Sequence, residues 1–418
     1  MVLEIRISNF FSIKEEVCID FRAANLKSAQ ARVLSKNTFV HDKEELLKTI
    51  LLYGANASGK SNIIRTVRFA HAMVLESHLH NENSTFNFKA FKFDGYTNKP
   101  SSYFIRFVSQ NIEYEYAFSL TPNEIISESL HYYPKGRIKE VFTRDETRGK
   151  DKRAIYSFGD LIKRPYDVAE STSTKTLFIS RASQMDRELA KEIFNYFNSQ
   201  FILQYNGFGL SVIEQLSKEN KAQLIEALKI ADSDIVDVKF KLLKQPGKNF
   251  NANLDSMTLT AEDVIQERLE ITTFHRREPN RAFDFLTEES QGTIKLFFMM
   301  LTVLDIVRNN KVLLVDEIEE SLHPKIIEYI FHLFRSSEGA QLLCSTHNTH
   351  FLDLKSFRKD QIYFVNKKTD ASTDLYSLYD YSDFRDTMDL EKAYLQGRFD
   401  AVPYVTDSEE RINNLLHE

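Results

Sequence analysis

The octet Gly54-Ala55-Asn56-Ala57-Ser58-Gly59-Lys60-Ser61 has the types and spacing of a G-x-x-x-x-G-K-[ST] phosphate-binding loop. Small residues let successive backbone N–H groups turn toward an anion, and a helix that follows adds the positive end of its dipole. Lys60 is expected to reach the terminal phosphates and Ser61 to ligate magnesium. The predicted nucleotide contacts are therefore Gly54, Asn56, Ala57, Ser58, Gly59, Lys60, Ser61 and Asn62. Far downstream, Lys311-Val312-Leu313-Leu314-Val315-Asp316-Glu317 runs from apolar residues into two acids. Asp316 is suited to holding the metal, and Glu317 to orienting and deprotonating an attacking water. Alone, this segment reads equally well as a core strand with a solvated acidic end. Two more groups complete the set. Ser290 and Gly292 form a Ser-x-Gly turn before an apolar run, an anion site in its own right, and His347 closes the segment Gln341-Leu342-Leu343-Cys344-Ser345-Thr346-His347, where it could touch a γ-phosphate.

These residues need particular elements beneath them. Thr49-Ile50-Leu51-Leu52-Tyr53 reads as a buried strand leading into the loop, and Ile63, Ile64, Val67 and Ala70 recur at helical spacing after it. Val312–Val315 and Gln341–Cys344 read as buried parallel strands. Ile294, Leu296, Phe297, Met300 and Leu301 mark a helix opened by the Ser290 turn. The predicted fold class is α/β.

The order of these groups resembles the ABC-type ATPase heads of the structural-maintenance-of-chromosomes (SMC), RecF and OLD group. Ser290 and Gly292 match a divergent form of that group's signature, and Glu319-Glu320-Ser321-Leu322-His323-Pro324 resembles its D-loop. The opening Leu3-Glu4-Ile5-Arg6-Ile7-Ser8-Asn9-Phe10-Phe11-Ser12-Ile13 resembles its first strand and "NF" turn. Within the group the closest resemblance is to compact bacterial ATPases of the RloA and AbiLi kind, associated with abortive infection and phage restriction. Tyr394-Leu395-Gln396-Gly397-Arg398-Phe399-Asp400-Ala401-Val402-Pro403-Tyr404 is similar to their closing motif. The first glutamine after Lys60 is Gln110, in a Ser109-Gln110-Asn111 turn, so the group's magnesium-sensing glutamine is not carried over.

The resemblance implies a phosphate-loop NTPase head of the ABC/SMC kind, with ATP and magnesium as ligands and hydrolysis of ATP as the reaction. It also implies that the Ser290-Gly292 turn of one subunit closes over the nucleotide held by another. A homodimer or higher homo-oligomer built through its ATP sites follows, self-complementary across a two-fold axis and shifted by nucleotide. OLD-type relatives carry a Toprim nuclease after the ATPase. No Asp-x-Asp occurs after His347, so no nuclease is expected here and the implied effector, a nuclease or toxin, is a separate protein.

Composition agrees with a folded chain. Of 418 residues 42% are hydrophobic, with 12 Gly and 8 Pro, which excludes a disordered or fibrous class. Two cysteines, Cys18 and Cys344, without metal-type spacing, fit a reducing cytoplasm. No signal peptide and no run of eighteen apolar residues is found, so a soluble cytoplasmic protein without membrane contact is expected. A net charge of -6, from 54 basic and 60 acidic residues, gives no global footprint for nucleic acid. A local basic run, Lys135, Arg137, Lys139, Arg144, Arg148, Lys150, Lys152 and Arg153, keeps DNA open as a partner, and with it a RecF- or SMC-like repair function. A transporter motor is disfavoured by the "NF" opening and the divergent signature.

Along the chain, 1–160 is expected to form a first ATPase lobe with antiparallel strands from Phe86 to about Phe142. Residues 161–270 read as a short helical insertion arm, 271–360 as a second ATPase lobe, and 361–418 as closing strands and a helix. No heptad run long enough for a coiled coil is present. Gln245 to Asp255, with Pro246, Gly247 and several Asn, reads as a mobile loop. His347 and His350 form an i, i+3 pair without an evident third ligand, and His78 and His80 read as solvated surface. Asp232-x-Asp234, beside Ile235 and Val236, reads as a helix-ending turn rather than a nuclease pair.

Overall fold

The computed structural model describes residues 1–418 except 27–31, 204–208, 231–233, 254–257, 321, 386–387 and 403–418. Asp232, Asp255, Ser321 of the D-loop-like segment, and Pro403 and Tyr404 of the closing motif lie outside the described residues.

In chain order the first strands are Val2–Ser8 (β1), Val17–Asp20 (β2), Thr38–His41 (β3), Glu44–Leu47 (β4) and Thr49–Tyr53 (β5). An aromatic-rich stretch follows as Ser101–Ser109 (β6), Ile112–Leu120 (β7), Ile125–Tyr133 (β8), Lys139–Asp145 (β9) and Tyr156–Phe158 (β10). Then come Phe201–Ile202 (β11), Ile235–Asn253 (β12), Thr258–His275 (β13) and Glu278–Asp284 (β14). The last are Val312–Val315 (β15), Gln341–Ser345 (β16), Ile362–Lys367 (β17) and Thr373–Ser377 (β18).

The chain divides into two compact units: Met1–Ile202, Asn310–Ile318 and Phe334–Glu418 in the first, Leu203–Asn309 and Glu319–Leu333 in the second. The first unit holds two large sheets. One is antiparallel throughout, in the order β10-β9-β8-β7-β6-β1-β2. Its period-2 sequences bury one face: Tyr103, Ile105 and Phe107 on β6, and Tyr114, Tyr116 and Phe118 on β7. Phe107 stacks on Tyr196 with centroids 4.4 Å apart.

The other sheet runs β11-β15-β16-β5-β17-β18, parallel except for the last pair. β5, β15 and β16 are buried along their whole length, as near-continuous apolar strands of a parallel sheet should be. The registers Leu52↔Ser345 and Val315↔Cys344 align the carboxyl ends of β5, β16 and β15. Ligands of open α/β sheets bind at that edge. The helix Lys60–Glu76 buries Ile63, Ile64, Val67 and Ala70, the face its spacing predicted. The architecture is thus the α/β phosphate-loop NTPase type, with an antiparallel β lobe.

Two charged groups inside the antiparallel lobe hold each other. Arg144 and Glu128 are both fully buried, 3.7 Å apart. Glu128 also accepts from Tyr116 Oη (2.9 Å), Phe178 N (2.6 Å) and Ile179 N (3.0 Å), tying the start of the helix Phe178–Gln184 to the sheet. Burial pushes its carboxyl up while Arg144 pulls it down.

The second unit corrects the helical-arm expectation. Its helices Leu210–Glu219 and Lys221–Ile230 are followed by a long ribbon, β12 paired with β13 from Ile235↔His275 to Asn253↔Thr258, with β14 beside β13. Gln245–Asn253, expected as a loop, is therefore strand. Its backbone pairs with β13 throughout, which outweighs the turn tendency of Pro246 and Gly247. Among the described residues β12 has no second neighbour, and such an edge tolerates the missing proline N–H. Phe240 and Phe285 pack on Phe297 of the helix Gln291–Arg308, with centroids 5.9 and 4.9 Å away.

The basic run breaks apart. Arg144 is buried and donates to Thr176 O and Ser173 O, Arg148 pairs with Asp145, and Lys152 donates to Thr172 O. Lys135 and Arg137 precede β9 while Lys150 and Arg153 follow it, so the strand's length separates the two groups. His78 and His80 are half-buried rather than solvated: their Nδ1 atoms meet Ser180 Oγ at 3.1 Å and Lys175 O at 3.2 Å.

Candidate nucleotide site

The loop between β5 and its helix is built so that only small residues fit. A Cβ on Gly54 would stand 2.3 Å from Val365 O, and one on Gly59 would stand 2.0 Å from Thr373 Oγ1. Gly59 caps the helix at φ 119°, a conformation that only glycine adopts freely, and Ala57 at the loop's exposed apex is left-handed too, at φ 62°. Lys60 is 5% exposed and donates from Nζ to Gly54 O at 2.7 Å and Ala55 O at 3.0 Å, spanning the loop from inside. Ser61 and Asn56 are exposed. Ser58 Oγ is buried without a hydrogen-bond partner, a costly state for a hydroxyl unless a ligand supplies one.

Asn62 turns its side chain toward the N-terminal turn. Its Nδ2 donates to Ser12 Oγ at 2.7 Å, so this side chain ties the helix to the N-terminal turn. That turn is itself held by Asn9, buried at φ 57°, which donates to Tyr96 O and Lys99 O and accepts from Phe91 N.

At the same sheet edge β15 leads into Asp316 and Glu317, and β16 ends at Ser345, followed by Thr346 and His347. Ser345 links the two acids: its hydroxyl donates to Asp316 Oδ1 and accepts from Glu317 N at 2.7 Å. Glu317 sits at φ 51°, a strained backbone for a residue with a Cβ, and its side chain is exposed. Ile318 N donates to Ser345 O, so the bend is fixed from both sides. Ser345 carries no motif; its one signal in the sequence is a hydroxyl at the end of a buried strand. His347 is exposed next to it. Among the described residues there is no group of three His, Cys, Asp or Glu that could hold a metal ion.

In the second unit Ser290 caps the helix Gln291–Arg308. Its Oγ accepts from Thr293 N at 3.0 Å and lies 2.8 Å from Thr293 Oγ1. Glu289 accepts from Thr273 Oγ1 and His275 Nε2, which fastens the turn to β13, while Ser290 is exposed and Gly292 half-buried. Lys295, one turn on, donates to Glu320 of the D-loop-like segment at 2.8 Å.

The residues fit a nucleoside triphosphate with magnesium. A tight glycine cradle, a buried lysine and an orphan serine hydroxyl face a polyanion's requirements, and the Asp316 carboxylate and Ser61 hydroxyl supply the hard oxygen ligands that magnesium takes. Among the described residues no helix is long and apolar enough to cross a membrane.

No curated protein matches the chain. Among solved structures it is similar to an SmcHead bound to the C-winged helix domain of ScpA, at 14% identity over 94% of this chain and 99% of that one, TM-score 0.45. It is also similar to an SMC head domain from Thermotoga maritima, at 13% identity over 90% of this chain and 98% of that one, TM-score 0.39. The model of the family described as "AAA domain, putative AbiEii toxin, Type IV TA system" matches residues 50–353, from the strand before the phosphate loop to just past His347. With most of its length inside that match, the chain belongs to this family of AAA domains.

Proposed function

We propose that this protein is a magnesium-dependent ATPase whose nucleotide holds two copies together, and that the assembly gates a separate nuclease or toxin in bacterial defence against phage. The observation that carries the first part is Lys60 buried inside a glycine-shaped loop on the sheet edge that also carries Asp316, Glu317 and His347.

Each residue has a task in this reading. Lys60 exchanges its two loop carbonyls for phosphate oxygens, while the loop N–H groups and Ser58 Oγ donate to the same chain of phosphates. Magnesium between Ser61 and Asp316 would neutralise part of the phosphate charge. Asp316 is aimed by the Ser345 hydroxyl. Glu317, turned outward by its left-handed backbone, accepts a proton from water and lines that water up. His347 donates toward the terminal phosphate. The Ser290-Gly292 turn of the second copy brings a helix N-terminus to the same anion, so the site is complete only in the pair.

The family description, which names a toxin and a toxin–antitoxin system, supports a place in abortive infection. A DNA-repair ATPase is the alternative. It draws less support, because the basic run that suggested it is partly buried and divided between the two ends of β9. Mass photometry with and without magnesium ATP, on Glu317→Gln to hold the bound state, tests the proposal. A shift from one to two subunits is expected; unchanged mass together with no phosphate release from the unsubstituted protein overturns it. Co-purification of products of neighbouring genes separates an effector from a nucleic-acid partner.

A further inference from the structure

We infer that Thr373, far from the phosphate loop in sequence, is a positioning residue that sets the loop's anion-binding geometry from behind. The inference rests on the reading of the loop as a phosphate site. Thr373 opens β18 and is 4% exposed. Its side chain fills the space that a Gly59 side chain would need, with Oγ1, Cγ2 and Cβ at 2.0, 2.8 and 2.9 Å from the virtual Cβ. Its Oγ1 donates to Ser58 O at 2.9 Å. The same Oγ1 lies 2.7 Å from Ser12 Oγ, which accepts from Asn62 Nδ2 at 2.7 Å.

Proton accounting gives this chain one direction. The Asn62 amide is a donor, and Ser58 O can only accept. Thr373 therefore spends its hydrogen on Ser58 O, and Ser12 must donate to Thr373. The line runs from Asn62 through Ser12 and Thr373 to Ser58 O. In a trans peptide the carbonyl and the following N–H point in opposite directions. Pinning Ser58 O against Thr373 turns Gly59 N–H away from β18, toward the side where phosphates would lie. The support is fixed in turn: Thr373 N donates to Ser12 O at 2.7 Å, and Lys14 bridges the N-terminal turn to Asp370 of the β17–β18 turn at 2.9 Å.

Thr373→Val keeps the shape against Gly59 and removes the hydroxyl; Thr373→Ser keeps the hydroxyl. Magnesium ATP and magnesium tripolyphosphate, which has no base or sugar, are titrated calorimetrically into the full chain. Thr373→Val is expected to weaken both ligands about tenfold, the worth of one well-placed hydrogen bond, with Thr373→Ser restoring affinity to within about twofold. If the unsubstituted protein binds both and Thr373→Val binds them equally well, or loses ATP alone, the positioning role is wrong and the phosphate-site reading stands. If the unsubstituted protein binds neither, both fall. Should Thr373→Val not fold by circular dichroism, Ser12→Ala carries the test with a loss of about threefold, and unchanged affinity there overturns the role equally.

Discussion

The phosphate-loop edge of the first unit and the Ser290 turn of the second are both anion sites by type, yet they are held in opposite ways. At the loop edge, polar groups are fixed by partners remote in sequence: Ser345 for Asp316 and Glu317, Thr373 for Ser58, Ser12 for Asn62. Strained backbone at Glu317 persists because the bonds to Ser345 over-determine it. Ser290 is exposed, and its hydroxyl meets the N–H and hydroxyl of Thr293, three residues on. The first arrangement is held by long-range bonds and the second is an exposed, locally bonded cap. That difference is in keeping with the proposed sharing of the site between two copies.

Substitutions can break or sharpen this contrast. Glu317→Gln should lower steady-state phosphate release roughly a thousandfold while leaving ATP affinity intact, as expected for loss of a general base. Undiminished turnover would remove Glu317 from that role and leave its strained backbone unexplained. Ser290→Arg should weaken ATP-dependent association roughly a hundredfold by forcing an unpaired charge into the contact, with binding to single subunits unchanged. If sedimentation shows the pair forming as before, the turn is only a helix cap and the contrast dissolves. Lys60→Ala should reduce ATP affinity roughly a hundredfold by calorimetry, since a buried charged donor is lost. Ser345→Ala is the finest probe. It frees Asp316 and Glu317 together, so phosphate release should fall about tenfold with affinity nearly kept; an equal loss of affinity would assign Ser345 to binding instead.

Much of the loop edge was legible because its information is local. A glycine-lysine octet, four apolar residues before Asp316 and the Leu342-Leu343-Cys344 run two residues before Thr346 announce themselves within short windows. The supports were not legible. Ser345, Ser12 and Thr373 are ordinary hydroxyl residues whose importance lies in partners that the sheet brings together. The ribbon of β12 and β13 was missed for a related reason. Pro246 and Gly247 signal a turn over a few residues, whereas strand pairing is decided by a partner across the hairpin. The basic run misled in the other direction, since only the fold reveals that Arg144 faces Glu128 and not solvent.

The sheet's chain order sets a timetable during synthesis. The phosphate loop leaves the ribosome about three hundred residues before β17, whose Val365 O crowds Gly54, and before Thr373 behind Gly59. A nascent chain halted before residue 373 carries the whole octet without its back wall. On the proposed reading, a product truncated there should bind ATP more weakly than the full chain.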